Sequence, residues 1–276
     1  MSKFEVDRDG FQIVKTKRFS KNKHTSITRN QIQLETQYVI NHLYLYTFRR
    51  IKDALEDFRG STYLADVLKS VSNVLHSRNI VEIVCLGLGH VSECNIAKFQ
   101  LALLLCLKEQ YNPQKVLVHD PIFYNSECEI LSKLNLDIIL ENNEGNYVIK
   151  PTGVSLVYLP HCPKQLTNNF LWANWGQNLQ NCILICNSFR SLIDNQPSRI
   201  LEETVPYIFK ISPHLHETLL ENSFKYTDIF NDTSIHEFQI ETLSKLPPEF
   251  WTKGTKPSYN NTEEFITKQM IEKLNI

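Results

Sequence analysis

The amino-acid sequence predicts an α/β protein with a Rossmann-like, doubly wound and mostly parallel sheet, with helices before it and an extension after it. Short runs rich in β-branched residues alternate with longer segments of helical periodicity. Most of these runs are apolar on both faces, as are strands of a parallel sheet that helices cover on both sides. The 276 residues are enough for one such core with extensions.

Two amphipathic helices are predicted ahead of the first strand. Between residues 31 and 58, apolar side chains recur every three or four positions, and Gly60 follows as a stop signal. A second apolar stripe runs from residue 63 to residue 76. Such stripes either form a partner interface or pack against the protein's own sheet, and we expect the second.

The β-branched runs predict six strands separated by helices. Strands are predicted at residues 80–86, 115–119, 137–140, 154–159, 182–187 and 207–211. Helices are predicted between them at residues 94–110, 125–133 and 165–179. The remainder predicts a helix that begins at Ser212-Pro213, an extended piece at 235–240, a break at Pro247-Pro248 and a last helix at 262–274.

Charge divides the chain into a basic start and an acidic remainder. Residues 1–31 carry eight Lys or Arg and three acids, whereas the rest carries 21 basic and 27 acidic side chains. Residues 14–30 contain six basic residues, no acid and no apolar period. This segment is either a solvated, silent tail or a nuclear-localisation or RNA-contact element, and we favour the first. The predicted organisation is a basic flexible tail at 1–30, an α/β domain with its N-terminal helices at 31–245, and a helical extension at 246–276.

The overall composition narrows the partners and the compartment. The formal net charge of −1 provides no basic field, so nucleic-acid binding is not expected. The seven cysteines are odd in number and form no C-x-x-C motif, which favours free thiols in a reducing compartment. The sequence begins without the apolar stretch of a signal peptide and contains no apolar run of about 20 residues. We therefore expect a cytoplasmic and nuclear protein with no membrane contact.

Candidate binding residues follow the predicted strands, because open parallel sheets bind ligands beyond the carboxyl ends of their strands. The first strand leads through Gly87, Gly89, His90 and Ser92 into a helix. This turn is suited to a phosphate-like or nucleotide-like ligand, or it is a tight turn with nothing bound. Asp120 follows the second strand, where a carboxylate either holds a ribose hydroxyl or precedes a proline turn.

The fourth and fifth strands end in further polar residues. His161 and Cys162 lie between two prolines, and a Cys before Pro can ligate haem iron with His as a second ligand. A nucleophilic cysteine and a structural or non-covalent binding loop are the alternatives. Asn187 and Ser188 either bind a ligand or cap a turn. The loop after the fourth strand is followed by amides and indoles at Asn168, Asn169, Trp172, Asn174 and Trp175.

No other metal site is expected, and no hydrolase or Walker motif is present.

Seven segments occur in order: CLGLG at 85–89, AKFQLALLL at 97–105, DPIF at 120–123, LPHC at 159–162, LWANW at 171–175, NSF at 187–189 and FNDTS at 230–234. Together they closely resemble the SRR-like domain, named after the plant protein Sensitivity to Red Light Reduced. The resemblance spans about residues 30–240. At His90 the chain departs from the serine that is frequent in this family.

The resemblance implies a regulatory protein without an established enzymatic activity. Members of the family are linked to regulation of haem biosynthesis and of circadian clock gene expression, in plants as a clock input downstream of light. The mechanism by which they act is not implied. The matching residues are expected to share a pocket for an unidentified small molecule or protein partner.

Two further hypotheses stay open at this point. One is an S-adenosylmethionine-dependent methyltransferase-like enzyme, with the two glycines near the amino-acid moiety and Asp120 on the ribose. The other is an adaptor that uses the helix at 31–58. Haem and S-adenosylmethionine are the candidate cofactors. The candidate binding residues are Gly87, Gly89, His90, Ser92, Asp120, His161, Cys162, Asn174, Asn187 and Ser188.

Overall fold

The structure is a computed structural model that describes residues 29–259 and 265–274. The described residues divide into two units between His42 and Leu43. The predicted tail at 1–30 lies outside the described residues, except for its last two residues, which begin the first helix. The predicted domain boundaries stay predictions.

Helices and strands alternate through the centre of the chain. The helices are α1 (Arg29–Arg59), α2 (Thr62–Leu75), α3 (Asn95–Tyr111), α4 (Asn125–Lys133), α5 (Lys164–Ala173), α6 (Phe189–Asp194), α7 (Ser198–Thr204), α8 (Pro206–Ile211), α9 (Ile240–Leu243) and α10 (Lys268–Leu274). The strands are β1 (Ile80–Leu86), β2 (Lys115–His119), β3 (Asp137–Ile138), β4 (Val154–Tyr158), β5 (Cys182–Asn187), β6 (His216–Leu219) and β7 (Thr233–Glu237). Within the described ranges, no helix is both long and apolar enough to cross a membrane.

The strands form one sheet in the order β3-β2-β1-β4-β5-β7-β6. Strands β1 to β5 pair in parallel, whereas β7 pairs antiparallel with both β5 and β6. The prediction of a Rossmann-like, mostly parallel α/β fold is confirmed, and the two antiparallel pairings add to it. The chain moves outward in opposite directions from β1 and β4, so a crevice is expected beyond their carboxyl ends.

Both faces of the sheet are covered by helices. On one face, α2, α3, α4 and the last turns of α1 pack over strand residues such as Ile83 and Ile185. On the other face, α5 to α8 pack over Val84 and Leu184. Neighbouring residues of a strand point to opposite faces, so strands buried on both sides need continuous apolar runs. This is why these runs predicted the architecture correctly.

Residues 207–211 belong to helix α8, so the strand predicted there is wrong. Pro206 occupies the first position of α8, where its missing N–H costs nothing. The side chain of Asn168 in α5 caps the helix, with Oδ1 accepting hydrogen bonds from Tyr207 N at 2.9 Å and Ile208 N at 3.3 Å. A five-residue apolar run does not distinguish a strand from a helix, and this cap from a distant element favours the helix.

The helix predicted to begin at Ser212-Pro213 is also wrong. A short 3-10 turn, Ser212–His214, is followed by the extended strand β6. The backbone of β6 finds its hydrogen-bond partners in β7, which supplies a reason for the extended conformation. The helix predicted at 165–179 ends earlier, with α5, and a 3-10 helix Gln177–Asn181 follows Gly176.

Candidate functional site

A cavity of about 430 Å³ lies beyond the carboxyl ends of β1, β2 and β4. Its volume is within the range of small-molecule sites, and its position is the one expected for a doubly wound sheet. The loops after these three strands supply most of its wall. Six of the predicted residues line it, namely Gly87, Gly89, His90, Asp120, His161 and Cys162.

The loop after β1 is held by the loop after β2. Gly87 and Gly89 have φ angles of +76° and +77°, a backbone region that glycine enters without steric cost. Gly89 N donates to Asp120 Oδ2 at 2.7 Å, and Ile122 N donates to the other carboxylate oxygen at 3.1 Å. Gly87 N donates to the carbonyl of His119 at 2.8 Å. Asp120 therefore fixes the glycine loop in addition to lining the cavity.

A buried carboxylate, Glu127 of α4, holds the next part of this loop. It accepts hydrogen bonds from Ser92 N and Ser92 Oγ at 2.8 and 2.7 Å, and from Tyr124 N at 3.0 Å. His90 Nδ1 lies 3.0 Å from the same carboxylate, and the His90 ring stacks on Tyr124. Burial opposes ionisation, but these hydrogen bonds outweigh it and lower the pKa of Glu127. The bonds of Ser92 are thus directed at Glu127, while His90 lies between Glu127 and the cavity.

Cys162 is buried below the glycine loop. Its Sγ lies 3.1 Å from the carbonyl oxygen of Leu86, to which the thiol donates. Burial, together with the negative charge of Asp120, raises the pKa of Cys162 well above its ordinary value. The side chain is therefore a protonated thiol at neutral pH, which suits neither a nucleophile nor a haem ligand.

His161 is the second residue that was considered for haem ligation. It has a φ angle of +47°, and its Nε2 lies 2.8 Å from the carbonyl oxygen of Ile229. That nitrogen is occupied by a backbone contact. Only Nδ1 of His161 is left for a metal, and the buried thiol of Cys162 is a poor second ligand, so the pair does not suit axial ligation of haem iron.

His119, the last residue of β2, also lines the cavity, although the sequence did not single it out. Only 6% of its surface is exposed. Nδ1 lies 2.8 Å from the carbonyl oxygen of Ile139 and donates to it, while Nε2 is buried and has no hydrogen-bond partner among the described residues. The signal that could have found His119 is its position at a strand end beside Asp120.

Asn187 and Ser188 lie at a smaller neighbouring cavity of about 230 Å³, which shares Cys162 with the first. Asn187 Nδ2 donates to the carbonyl of Cys162 at 3.3 Å, and its Oδ1 is buried without a partner among the described residues. Ser188 Oγ caps α6 by accepting from Ser191 N at 3.0 Å, and it donates to Glu217 at 2.5 Å. Ser188 thus has the capping role that was the alternative to ligand binding.

Asn174 is not brought to either cavity. Its Oδ1 accepts from Ile149 N at 2.9 Å, and its Nδ2 donates to the carbonyls of Tyr147 at 2.7 Å and Phe170 at 2.9 Å. All its amide groups are used to hold the loop before β4 against the end of α5. Asn174 was expected to face a shared pocket, but its side chain instead forms hydrogen bonds with the loop before β4, which passes the end of α5.

The cavity wall is completed by residues far away in sequence. Phe265 and Ile266 line it, and Asn142 Nδ2 donates to the carbonyl of Ile266 at 3.0 Å. No local pattern could have placed them there, since the contact joins segments more than 120 residues apart. Within residues 29–259 and 265–274, no group of three or more His, Cys, Asp or Glu side chains is arranged to hold a metal ion.

The fold and the cavity define a Rossmann-like α/β protein with a candidate small-molecule site at the switch point of its sheet. The sequence matches the SRR1 domain over residues 64–237. An SRR1-like protein of Drosophila melanogaster is 31% identical over 267 residues, which cover 94% of each chain. The Arabidopsis thaliana protein SENSITIVITY TO RED LIGHT REDUCED 1 is 28% identical over 189 residues, 66% of this chain and 67% of that protein. The chain belongs to the SRR1-like family, as the seven sequence segments predicted.

Among solved structures, the chain is similar to that of the plantazolicin methyltransferase BpumL in complex with SAH. The sequence identity is 14%, the TM-score is 0.31, and the match covers 72% of this chain and 96% of that chain. A TM-score this low carries no argument about function.

Proposed function

We propose that this protein is a regulatory member of its family that binds a small molecule in the cavity beyond β1, β2 and β4. Its role is in the regulation of haem biosynthesis and of circadian clock gene expression, in the cytoplasm and nucleus. The observation that carries the binding part is the convergence of Gly87, Gly89, His90, Asp120 and His119 on one cavity. The pathways themselves follow from the family resemblance alone.

The polar groups of this cavity favour binding over catalysis. Asp120 and Glu127 already accept hydrogen bonds from the backbone of the glycine loop, so they serve to shape it. The buried Cys162 thiol is a poor nucleophile because its pKa is raised. What remains is a largely apolar cavity with a few fixed polar atoms, a combination typical of ligand recognition.

Thermal denaturation of the full chain tests the binding part. Haemin, S-adenosylmethionine and S-adenosylhomocysteine are each added to the wild type, to Asp120→Ala and to Asp66→Ala. A ligand of the native state at about 100 times its Kd stabilises by about 2.7 kcal/mol, so the wild-type midpoint should rise clearly. We expect the rise to persist in Asp66→Ala, an exposed control on α2, and to shrink in Asp120→Ala. If none of these three compounds shifts the wild-type midpoint, a protein partner becomes the better explanation of the site.

A rescue experiment tests the pathway part. Cells depleted of the protein are supplied with the wild type, Asp120→Ala or Asp66→Ala at equal protein levels. Haem content and the rhythm of clock-gene transcripts are then measured. We expect depletion to alter both, and the wild type and Asp66→Ala to restore both, whereas Asp120→Ala does not. Depletion that leaves haem content and transcript rhythm unchanged would contradict the proposal.

A methyltransferase-like enzyme is the second candidate, favoured by the glycine loop after β1 and the carboxylate of Asp120 after β2, which line one cavity. S-adenosylmethionine would supply a methyl group, and Asp120 would accept a hydrogen bond from its ribose. Transfer of a labelled methyl group to protein, RNA or small-molecule fractions, lost in Asp120→Ala, would favour this candidate over the regulatory one.

A further inference from the structure

Three backbone N–H groups in and just after the glycine loop, a region that attracts phosphate in many doubly wound folds, already have hydrogen-bond partners within the protein. Gly87 N is bonded to the carbonyl of His119, and Gly89 N to the carboxylate of Asp120. Ser92 N, close to the start of α3, is bonded to the carboxylate of Glu127. Two of these three donors are therefore already paired with a negative charge of the protein itself.

The charges around the cavity also act against a phosphate. Asp120 lines the cavity, and Glu127 lies directly behind His90. Among the described residues that line the cavity, none is Lys or Arg. Among the described residues, a phosphate would thus meet one negative side chain in the wall and no Lys or Arg, and repulsion between like charges is strong where water is excluded.

Two histidines that line the cavity offer ring nitrogens as hydrogen-bond acceptors. His119 donates from Nδ1 to the Ile139 carbonyl, and with Nδ1 as the donor a neutral imidazole has its electron pair on Nε2. This Nε2 is buried without a partner among the described residues, which is costly unless a ligand supplies a donor. His90 is oriented in the same way, since its Nδ1 faces Glu127. Around these acceptors the wall is apolar, with Ile96, Leu166 and Phe265.

We propose that the cavity takes a ligand without phosphate, neutral or cationic, with an apolar body and at least one N–H or O–H group that donates to His119 Nε2. The inference rests on the proposed function, because it names the ligand class of the same cavity. It separates this site from the dinucleotide and nucleoside-phosphate sites that the glycine loop alone suggests.

Calorimetric titration of the full chain with two matched sets of probes tests the inference. The first set is adenosine, S-adenosylhomocysteine and tryptamine, which carry donors and no phosphate. The second set is AMP, ATP and inorganic phosphate. We expect at least one compound of the first set to bind, and adenosine to bind at least tenfold more tightly than AMP. His119→Phe should raise the Kd of the compound that binds at least tenfold. His216→Phe, at an exposed position on strand β6, should leave that Kd unchanged.

Nitrogen-detected NMR of the imidazole rings adds a measurement that does not depend on affinity. The free protein should show His119 protonated at Nδ1 and unprotonated at Nε2, and the Nε2 signal should move when a ligand of the first set binds. A His119 ring protonated at Nε2 in the free protein would overturn the inference.

The outcomes distinguish the inference from the proposed function. Binding of AMP or inorganic phosphate as tight as that of adenosine, lost in Asp120→Ala, would overturn the phosphate-free class and leave a small-molecule site in place. If neither set binds, both the inference and the proposed small-molecule site fail.

Discussion

Gly87 and Cys162 are packed so closely that position 87 has no room for a side chain. A Cβ atom built on Gly87 would overlap the Sγ of Cys162. The thiol in turn donates to the carbonyl of Leu86, directly before the glycine. The cysteine therefore supports the turn between β1 and α3 from below, which explains a buried thiol at this position without any redox or ligating role.

Gly87→Ala should destabilise the protein by about 2–5 kcal/mol in chemical denaturation. The positive φ angle costs an L-residue about 1–2 kcal/mol, and the overlap with Cys162 adds about 1–3 kcal/mol. In a Cys162→Ala background the added cost of Gly87→Ala should fall to the conformational part, a coupling that a double-mutant cycle measures. Gly60→Ala is the control, because no atom lies within 4 Å of the position that its Cβ would take, and it should change stability by less than about 0.5 kcal/mol. An equal cost in both backgrounds would contradict the contact.

Glu127→Gln should destabilise the protein by about 2–4 kcal/mol at neutral pH, because an amide cannot accept all the hydrogen bonds that the carboxylate receives. The pKa of Glu127 is lowered in the folded state, so its contribution is present above the unfolded-state pKa of about 4.5 and is lost as pH falls through the lower folded-state pKa. The stability difference between the wild type and Glu127→Gln should therefore shrink at acidic pH. Glu129→Gln, exposed on the same helix, should show neither effect.

At the scale of elements, the sequence predicted those whose burial depends only on their own residues. The parallel strands were found because both faces of each are apolar. Helix α8 and strand β6 were not predicted. Helix α8 is capped by Asn168 and strand β6 pairs with β7, and neither partner belongs to the local sequence of the element it stabilises. The same distinction applies to the site. Six of the predicted residues follow a strand directly and line the cavity, whereas the side chain of Asn174 bonds to the loop before β4.

The pairing of β5 with the reversed strand β7 buries a histidine, and we expect this histidine to make the stability of the protein depend on pH. His236 is fully buried between Cys186, Phe189 and Glu217. Burial lowers its pKa to about 4, although Glu217 acts in the opposite direction. Between the unfolded-state pKa of about 6.5 and pH 4, the unfolded chain binds a proton that the folded chain does not. Stability should therefore fall with falling pH in this window, with a slope of at most about 1.4 kcal/mol per pH unit.

Urea denaturation at a series of pH values measures this slope. His236→Phe removes the titrating group and places a ring beside Phe189, so we expect the slope between pH 6.5 and 4 to diminish. His216→Phe, on the exposed strand β6, should keep the wild-type slope. An unchanged slope in His236→Phe would show that other groups produce the pH dependence.

At the scale of the whole molecule, the end of the chain completes the cavity that the sheet begins. Phe265 is buried in the cavity wall, and its ring packs edge-on against Tyr259 at 5.4 Å. Polar contacts hold the following residues, among them Lys268 N to Glu144 Oε1 at 2.8 Å. The segment 265–274 thus rests on the core through one buried ring and a few surface bonds, so it should open at lower free energy than the sheet.

Phe265→Ala should release this segment without unfolding the sheet. Loss of the ring removes the main apolar contact, which costs up to about 3–5 kcal/mol at a fully packed site and less here because one side of the ring faces the cavity. Hydrogen exchange should accelerate in residues 265–274 and at the cavity rim, while β1 and β4 keep their protection. Met270→Ala, at a more exposed position on α10, should leave the exchange pattern unchanged. Any compound that binds the cavity should bind Phe265→Ala more weakly, because part of its apolar wall is gone. Uniform acceleration of exchange across the sheet would instead show that the segment and the core unfold as one unit.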